Sequence, residues 1–313
     1  INTVLYQSRH AVAFMNIRLI GLGRMGNAIA QRLIKAGHQV IGFDYDQSAC
    51  TALQAMGGIS TATIEDVCRQ TTLLWLMVPV TAVDEILQAL LLHAQVGTII
   101  IDGGNSYYKD SMRRAHECLG YKIDFLDCGT SGGIHGREHG FCLMVGGSSQ
   151  AYQQIYSLLS AVAAPNGLAH IGVSGTGHYV KMVHNGIEYG LLQAYAEGFQ
   201  LIKEGSFKDS HLDLAQITDL WNNGSIIRSW ILQLSQELFA HDQNFDTIAG
   251  KIEELGTGKW TLEEARQHNI ATPVLEESLN RRSWSRQTGG NYATKLVALL
   301  RNKFGGHPIT KKE

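Results

Sequence analysis

Residues 17–44 carry the pattern that most restricts the fold. A short apolar run over 17–20 leads directly into Gly21-Leu22-Gly23-Arg24-Met25-Gly26. An amphipathic stretch follows over 26–36, then a second apolar run over 39–43, and Asp44 closes that run. Glycines between a strand and a helix allow a tight turn and bring the helix N-terminus close to a pyrophosphate. Strand, glycine loop, helix and acid-terminated second strand, in that order, form a dinucleotide-binding unit. Gly21, Leu22, Gly23, Arg24, Met25 and Gly26 are its candidate cofactor residues. The bland alternative is a glycine turn in a sheet that binds nothing, and the order of elements weighs against it. A carboxylate at Asp44 can accept a hydrogen bond from the ribose 2′-hydroxyl of NAD and repels the 2′-phosphate of NADP. Asp46 adds a second negative charge, and no arginine lies in 44–49. The expected cofactor is therefore NAD, with NADP disfavoured, unless Asp44 only caps a turn.

The alternation continues. Apolar runs at 73–78, 98–102, 121–127 and 141–147 are separated by helix-like stretches at 48–56, 83–94 and 111–119, with another at 150–161. Strands alternating with helices of about ten residues imply a parallel sheet covered on both faces. After 174–177 the pattern changes. Residues 178–204 contain no proline and read as one long helix ended at Gly205. Further helices are expected at 212–222, 225–240, 245–255, 261–267 and 273–286, with no strand beyond 173. The expected fold is an α/β Rossmann-like N-terminal domain (15–174) followed by an all-α C-terminal domain (175–313). The first 14 residues precede Met15, and NIRLIGLG begins immediately after it. We expect Met15 to be the true start and 1–14 to be an artefactual leader; its apolar part is too short for a secretory signal.

Bulk properties remove several functional classes. A chain of 313 residues with 44% apolar and 17% charged residues fits a globular protein of about two domains. A net charge of -2 provides no general basic field for nucleic acid. The longest apolar runs fall well short of the roughly 20 residues of a membrane span. The five cysteines (Cys50, Cys68, Cys118, Cys128, Cys142) include no CxxC pair, which suits reduced thiols in a cytosolic protein. The 13 histidines have no metal-site spacing.

Three polar, glycine-rich loops end strands: Met77-Val78-Pro79, Asp102-Gly103-Gly104-Asn105-Ser106 and Ser131-Gly132-Gly133. Each alone is turn chemistry, but ligands in open α/β sheets lie beyond the carboxyl ends of strands, so together they outline a crevice. The long helix then carries KMVHNGIEYG over 181–190. At about 100° per residue, Lys181, His184, Asn185 and Glu188 share a face, with Tyr189 at its margin. Met182, Val183, Ile187 and Leu191 point elsewhere. On an arbitrary helix the better reading is a solvated, salt-bridged face. The apolar, glycine-rich flanks argue against it here.

With these pieces assembled, the chain resembles decarboxylating 6-phosphogluconate dehydrogenases of the short bacterial type, from Met15 to about Pro308. The resemblance rests on GLGRMG, DGGNS, TSGG, KMVHNGIEY, GTGKWT (256–261) and RNKFGGH (301–307). It implies that Lys181 is the general base for the C3 hydroxyl, neutral through a lowered pKa, while hydride leaves C3 for the nicotinamide. It implies that Glu188 protonates C1 of the enediol left after CO2 is lost, and that Asn185 belongs to the catalytic group. Asn105, Ser131, Gly132, Gly133, His184 and Asn185 match contacts to the sugar acid. Tyr189, Lys259, Thr261 and Arg282 match the phosphate cradle, although Arg281 is adjacent to Arg282. Val78, Pro79 and Asn105 complete the cofactor set. Arg301 and His307 match a C-terminal tail that in this family reaches the neighbouring subunit's site, implying an obligate homodimer; taken alone, RNKFGGHPITKKE reads as a frayed basic terminus. Two departures matter. Asp44-Tyr45-Asp46 stand where longer members carry Asn-Arg-Thr for NADP, and Ile134-His135 stand where they carry two glutamates. The alternatives are a β-hydroxyacid dehydrogenase for a small non-phosphorylated acid and a cofactor-sensing protein on a decayed scaffold.

Overall fold

The computed structural model describes residues 14–68, 72–254 and 256–312, and the expectation for the leader lies almost wholly outside them. Two compact units divide the chain, Ile1–Tyr179 and Val180–Glu313. The division falls five residues beyond the expected 174.

The first unit is built from β1 (Asn16–Ile20), α1 (Arg24–Lys35), β2 (Gln39–Phe43), α2 (Gln47–Ala55), β3 (Ile59–Ser60), α3 (Ile64–Cys68), β4 (Leu73–Leu76) and α4 (Val83–Leu91). It continues with β5 (Ile99–Asp102), α5 (Tyr108–Gly120), β6 (Asp124–Ser131), α6 (Gly136–His139), β7 (Phe141–Gly146), α7 (Ser149–Gln154), α8 (Tyr156–Val162) and β8 (Ala163–Gly172). The strands form one sheet in the order β3-β2-β1-β4-β5-β6-β7-β8. Every pairing is parallel except that of β6 with β7. All four residues of β4 are buried. They alternate between two cores, Leu73 and Trp75 on one face of the sheet, Leu74 and Leu76 on the other. A strand buried on both faces has no polar alternation, which is why 73–78 reads as a continuous apolar run.

Three local readings need correction. The stretch 150–161 is two helices meeting at Ile155. β8 is a strand absent from the sequence reading, because it carries Pro165, Asn166 with φ of 60°, and a register shift. The short β3 and α3 are likewise not legible in the sequence pattern.

The second unit is all α among its described residues. α9 (Thr176–Glu204) begins within the first unit and runs on through the boundary. α10 (Leu214–Asn222), α11 (Trp230–Phe239), α12 (Thr257–Gln267), α13 (Pro273–Thr288) and α14 (Tyr292–Gly305) follow. Their core joins Leu192, Ala196 and Phe199 of α9 to Leu232, Phe239, Leu296 and Leu300. Asp213 and Ser229 cap α10 and α11, and Asn291 with Thr294 forms a capping box on α14.

Here too the structure departs from the sequence reading. The expected helix over 245–255 does not form. Phe245 has a φ of 56°, and Ile248 makes an antiparallel bridge to Lys311. Ala249 donates to the Thr310 carbonyl and Lys312 to that of Thr247, each at 2.9 Å. The last residues of the stretch that reads as frayed are thus bonded to the 247–249 segment of their own chain. Arg301 is not in a tail at all: it lies on α14 and is 5% exposed.

Candidate active site

In the first unit, the glycine loop is shaped by close approach. Gly21 has a φ of 91°, and a Cβ there would lie 2.5 Å from the Met77 carbonyl oxygen. A Cβ on Gly26 would lie 2.0 Å from the Gly21 carbonyl oxygen. Only glycine fits either position. α1 starts at Arg24 with no side-chain cap and no acid in its first turn, so neither neutralises the positive end of the helix. Asp44 Oδ2 accepts from the Leu22 N–H at 2.6 Å, and Oδ1 accepts from the Asp46 N–H at 2.9 Å. The carboxylate therefore fastens the glycine loop to the end of β2. It also lines a cavity of about 200 Å³ together with Gly21, Gly23, Met77, Val78 and Pro79. Turn cap and ligand contact are both available to Asp44. Asp46 is committed to capping α2 through the Ser48 N–H, which holds its carboxyl below the usual range. Open helix terminus, forced glycines and terminal acid fit a dinucleotide with an unmodified ribose.

The Asn105 loop has a support that the sequence reading missed. Asp102 is fully buried and accepts from the Gly104 N–H at 3.1 Å and from the Ser106 hydroxyl at 2.7 Å, on either side of Asn105. Arg114, 1% exposed, lies 3.5 Å from Asp102 and binds Asp84 at 2.8 Å. Arg114 and Arg113 together lower the Asp84 carboxyl to about 2. Ser131 ends β6, and Gly132 and Gly133 follow with φ of 130° and 54°. Asp127, also on β6, accepts from the Gly175 and His178 N–H groups and so anchors the start of α9.

On α9 the polar face is buried, not solvated. Lys181 is 9% exposed and Tyr189 6%, whereas Ile187 is 52% and Leu191 45% exposed. A helix surface held by salt bridges would show the opposite pattern. Lys181 Nζ lies 3.4 Å from His184 Nδ1, which lies 3.2 Å from Asn185 Oδ1. Burial lowers the His184 imidazole below its ordinary value, and Lys181 lowers it further. Burial raises the Glu188 carboxyl, against the opposing pull of Lys181, Arg282 and Arg301. An amine, a neutral-leaning imidazole and a protonation-prone carboxyl are thus gathered on one helix.

α12 and α13 complete the second unit's site. A Cβ on Gly258 would lie 2.4 Å from Tyr189 Cε2, so α12 packs directly on that ring. The Thr261 hydroxyl donates to the Met182 carbonyl at 2.9 Å, tying α12 to α9. Lys259 is exposed on the first turn of α12. The two adjacent arginines differ sharply in their surroundings. Arg281 is half-exposed and pairs with Glu277 at 2.7 Å. Arg282 is 2% exposed, with its guanidinium 3.2 Å from the centre of the Tyr189 ring. Both terminal nitrogens of Arg282 are buried without a hydrogen-bond partner. Burial lowers the guanidinium to about 10. Arg301 is lowered by burial too, and feels Tyr189, Glu254 and Glu188 of its own chain. His307 folds back over Gly305, with its carbonyl accepting from the Asn302 amide at 2.7 Å. Glu254, absent from the sequence reading, accepts from the Tyr189 hydroxyl at 3.0 Å. Among the described residues no three of His, Cys, Asp and Glu converge as metal ligands, and no helix is long and apolar enough to cross a membrane.

Comparison with known proteins agrees with this geometry. Residues 16–177 match the NAD binding domain of 6-phosphogluconate dehydrogenase, and residues 177–308 match the C-terminal domain of that enzyme. The Haloferax volcanii NAD(+)-dependent, decarboxylating 6-phosphogluconate dehydrogenase is 41% identical over 305 residues, covering 96% of this chain and 100% of that one. The structure of Plasmodium falciparum 6-phosphogluconate dehydrogenase superposes with a TM-score of 0.78 at 30% identity, covering 87% of this chain; this chain spans only 62% of the Plasmodium one. Mycobacterium tuberculosis 3-hydroxyisobutyrate dehydrogenase shares the fold at a TM-score of 0.71 and 19% identity, covering 92% of this chain and 99% of that one. The chain belongs to the 6-phosphogluconate dehydrogenase family.

Proposed function

We propose that this protein is an NAD-linked enzyme of the cytoplasm that oxidises and decarboxylates 6-phosphogluconate to ribulose 5-phosphate and CO2. The nicotinamide ring, when bound, accepts the hydride that leaves C3. Lys181 takes the C3 hydroxyl proton, producing a 3-keto acid. The protonated amine then bonds the C3 oxygen while the C1–C2 bond breaks and CO2 departs. Glu188, whose carboxyl is biased toward its protonated form, donates that proton to C1 of the enediol. His184 and Asn185 hold the sugar acid on the same helix. Asn105, Ser131, Gly132 and Gly133 supply the first unit's substrate contacts, with Tyr189, Lys259, Thr261, Arg282, Arg301 and His307 on the phosphate side.

The observation that carries the reading is Arg282. A buried guanidinium with two unpartnered nitrogens, close enough to Arg301 to feel its charge, has the chemistry of an anion site. A dehydrogenase for a small non-phosphorylated acid has no use for that second cationic centre. The retained Lys181, Asn185 and Glu188 likewise weigh against a decayed, sensing scaffold. NAD is favoured over NADP by Asp44, and by the stated cofactor of the Haloferax relative. We keep the homodimer within the proposal, with Arg301 serving its own chain's site. A steady-state assay of 6-phosphogluconate and gluconate, each with NAD and NADP, tests the reading. The expected result is turnover and CO2 release with 6-phosphogluconate and NAD. Faster turnover of gluconate would overturn the substrate, and faster turnover with NADP the cofactor.

A further inference from the structure

The cradle around Arg282 contains a carboxylate, which is unexpected in a site for a phosphate. Glu254 Oε1 accepts from the Tyr189 hydroxyl at 3.0 Å and from the Gly256 N–H at 2.9 Å. Its other oxygen, Oε2, is buried and has no hydrogen-bond partner. Tyr189 is the spacer: its hydroxyl is bound by Glu254, and its ring face lies 3.2 Å from the Arg282 guanidinium carbon. Arg301 is buried in the same cluster. A carboxylate and two guanidinium groups therefore share one low-dielectric region, and unpartnered polar atoms remain on both sides of the tyrosine.

Two buried cations need a negative charge nearby whenever the site holds no ligand. Glu188 is a poor source, since burial pushes its carboxyl toward the neutral form. Tyr189 is pushed the same way, its phenol raised by burial. Glu254 is only partly buried, and its Oε1 is held by two donors. It remains as the compensating charge.

We propose that Glu254 is a built-in counter-anion of the phosphate cradle, balancing Arg282 and Arg301 in the empty site and weakening their hold on a phosphate when one binds. An arriving phosphate takes over the compensation and meets a like charge beside it, so its affinity is lower than the two arginines alone would give. This sets substrate affinity and eases product release. The inference rests on the phosphate reading of the preceding section.

Glu254→Gln tests it with little change of shape, because the amide oxygen can still accept from Tyr189 and Gly256 while the charge is gone. Calorimetric titration of the full chain with 6-phosphogluconate, and separately with inorganic phosphate, should give dissociation constants about tenfold lower in the variant, an effect of the size expected when one charge beside a buried ionic group is removed. The ligand-free variant should melt at a lower temperature than the unmutated chain and gain more from a fixed phosphate concentration. A merely structural role for Glu254 predicts weaker binding instead. Unchanged or weaker binding by the variant, with normal binding by the unmutated chain, overturns the counter-anion role alone. Failure of the unmutated chain to bind either anion overturns the phosphate reading, and this inference with it.

Discussion

In the proposed function the two units hold phosphate groups by opposite means. In the first, the anion site is backbone: the open N-terminus of α1, turned by Gly21 and Gly26 at contact distances that exclude any side chain. The selective charge proposed there is the Asp44 carboxylate, whose part is to refuse a second phosphate. In the second, the site is made of full side-chain charges, Arg282 and Arg301, both nearly sealed from water. Partial charges at a helix end are each worth a fraction of a kcal/mol and tolerate variation around them. Buried guanidinium groups act strongly and need compensation when empty. The difference predicts that damage to the second unit is far more costly to turnover than damage to the first.

The largest effect should come from Lys181→Met. Removing the base should lower kcat by about 10²–10⁴-fold, while NAD affinity measured by titration stays within about twofold. Appreciable residual turnover would reject the base assignment, and a parallel loss of NAD binding would collapse the distinction between the units. Next is Arg282→Met. KM for 6-phosphogluconate should rise about a hundredfold, the scale for truncating a buried ionic partner, with turnover of gluconate barely altered. Arg281→Met serves as its control, since that side chain is half-exposed and bound to Glu277; an equal effect from both would mean that burial does not select the ligand. Smaller again is the response at Asp44. Asp44→Ala should weaken NAD about tenfold, in line with loss of a charged hydrogen bond. Asp44→Asn should retain more of the loop contact to Leu22 and chiefly relax the discrimination against NADP. Should the asparagine and alanine substitutions behave alike, the carboxylate's role in the loop outweighs its role in repulsion.

The same contrast explains how much is legible in the sequence. The first site is contiguous: Gly21 to Gly26 and Asp44 lie within one strand-helix-strand unit, so spacing alone locates it. The polar face of α9 is equally visible as spacing, yet its burial is not. Periodicity shows which residues share a face, and only the tertiary structure decides that Lys181 is buried while Ile187 is exposed. Arg282 over Arg281 is likewise a matter of one helical step, about 100°, that only the tertiary contact with Tyr189 resolves. Glu254 cannot be read at all, because nothing in the EELG stretch distinguishes a cradle carboxylate from a surface one. The 245–255 segment reads as helix because its composition allows one. The Ile248–Lys311 bridge depends on a partner far along the chain. Arg301 reads as part of a tail because its basic neighbours mask the buried face of α14.

The smallest expected effect concerns pH, and it again separates the units. Asp46, at the surface of the first unit, is lowered by its bonds to Ser48. Glu188, in the second, is raised from its ordinary 4.5 because burial outweighs the three cations near it. A carboxyl whose native value lies above its unfolded one contributes its full stability below the ordinary range and loses it as pH rises through the native value. His184 has the reverse sign. Its native value lies below the ordinary 6.5, so its contribution is complete above that range and is lost as pH falls through the lowered value. Glu188→Gln should therefore melt progressively higher, relative to the unmutated chain, as pH is raised from about 4.5 toward neutrality. Thermal melts across that range would read the difference directly, and a flat difference would mean that burial does not control this carboxyl. Arg301→Met removes one of the cations holding Glu188 down, so in that background the Glu188 native value rises and its alkaline loss moves to higher pH. The Asp46 end of the molecule should not respond, since the cations are not among the causes of its shift.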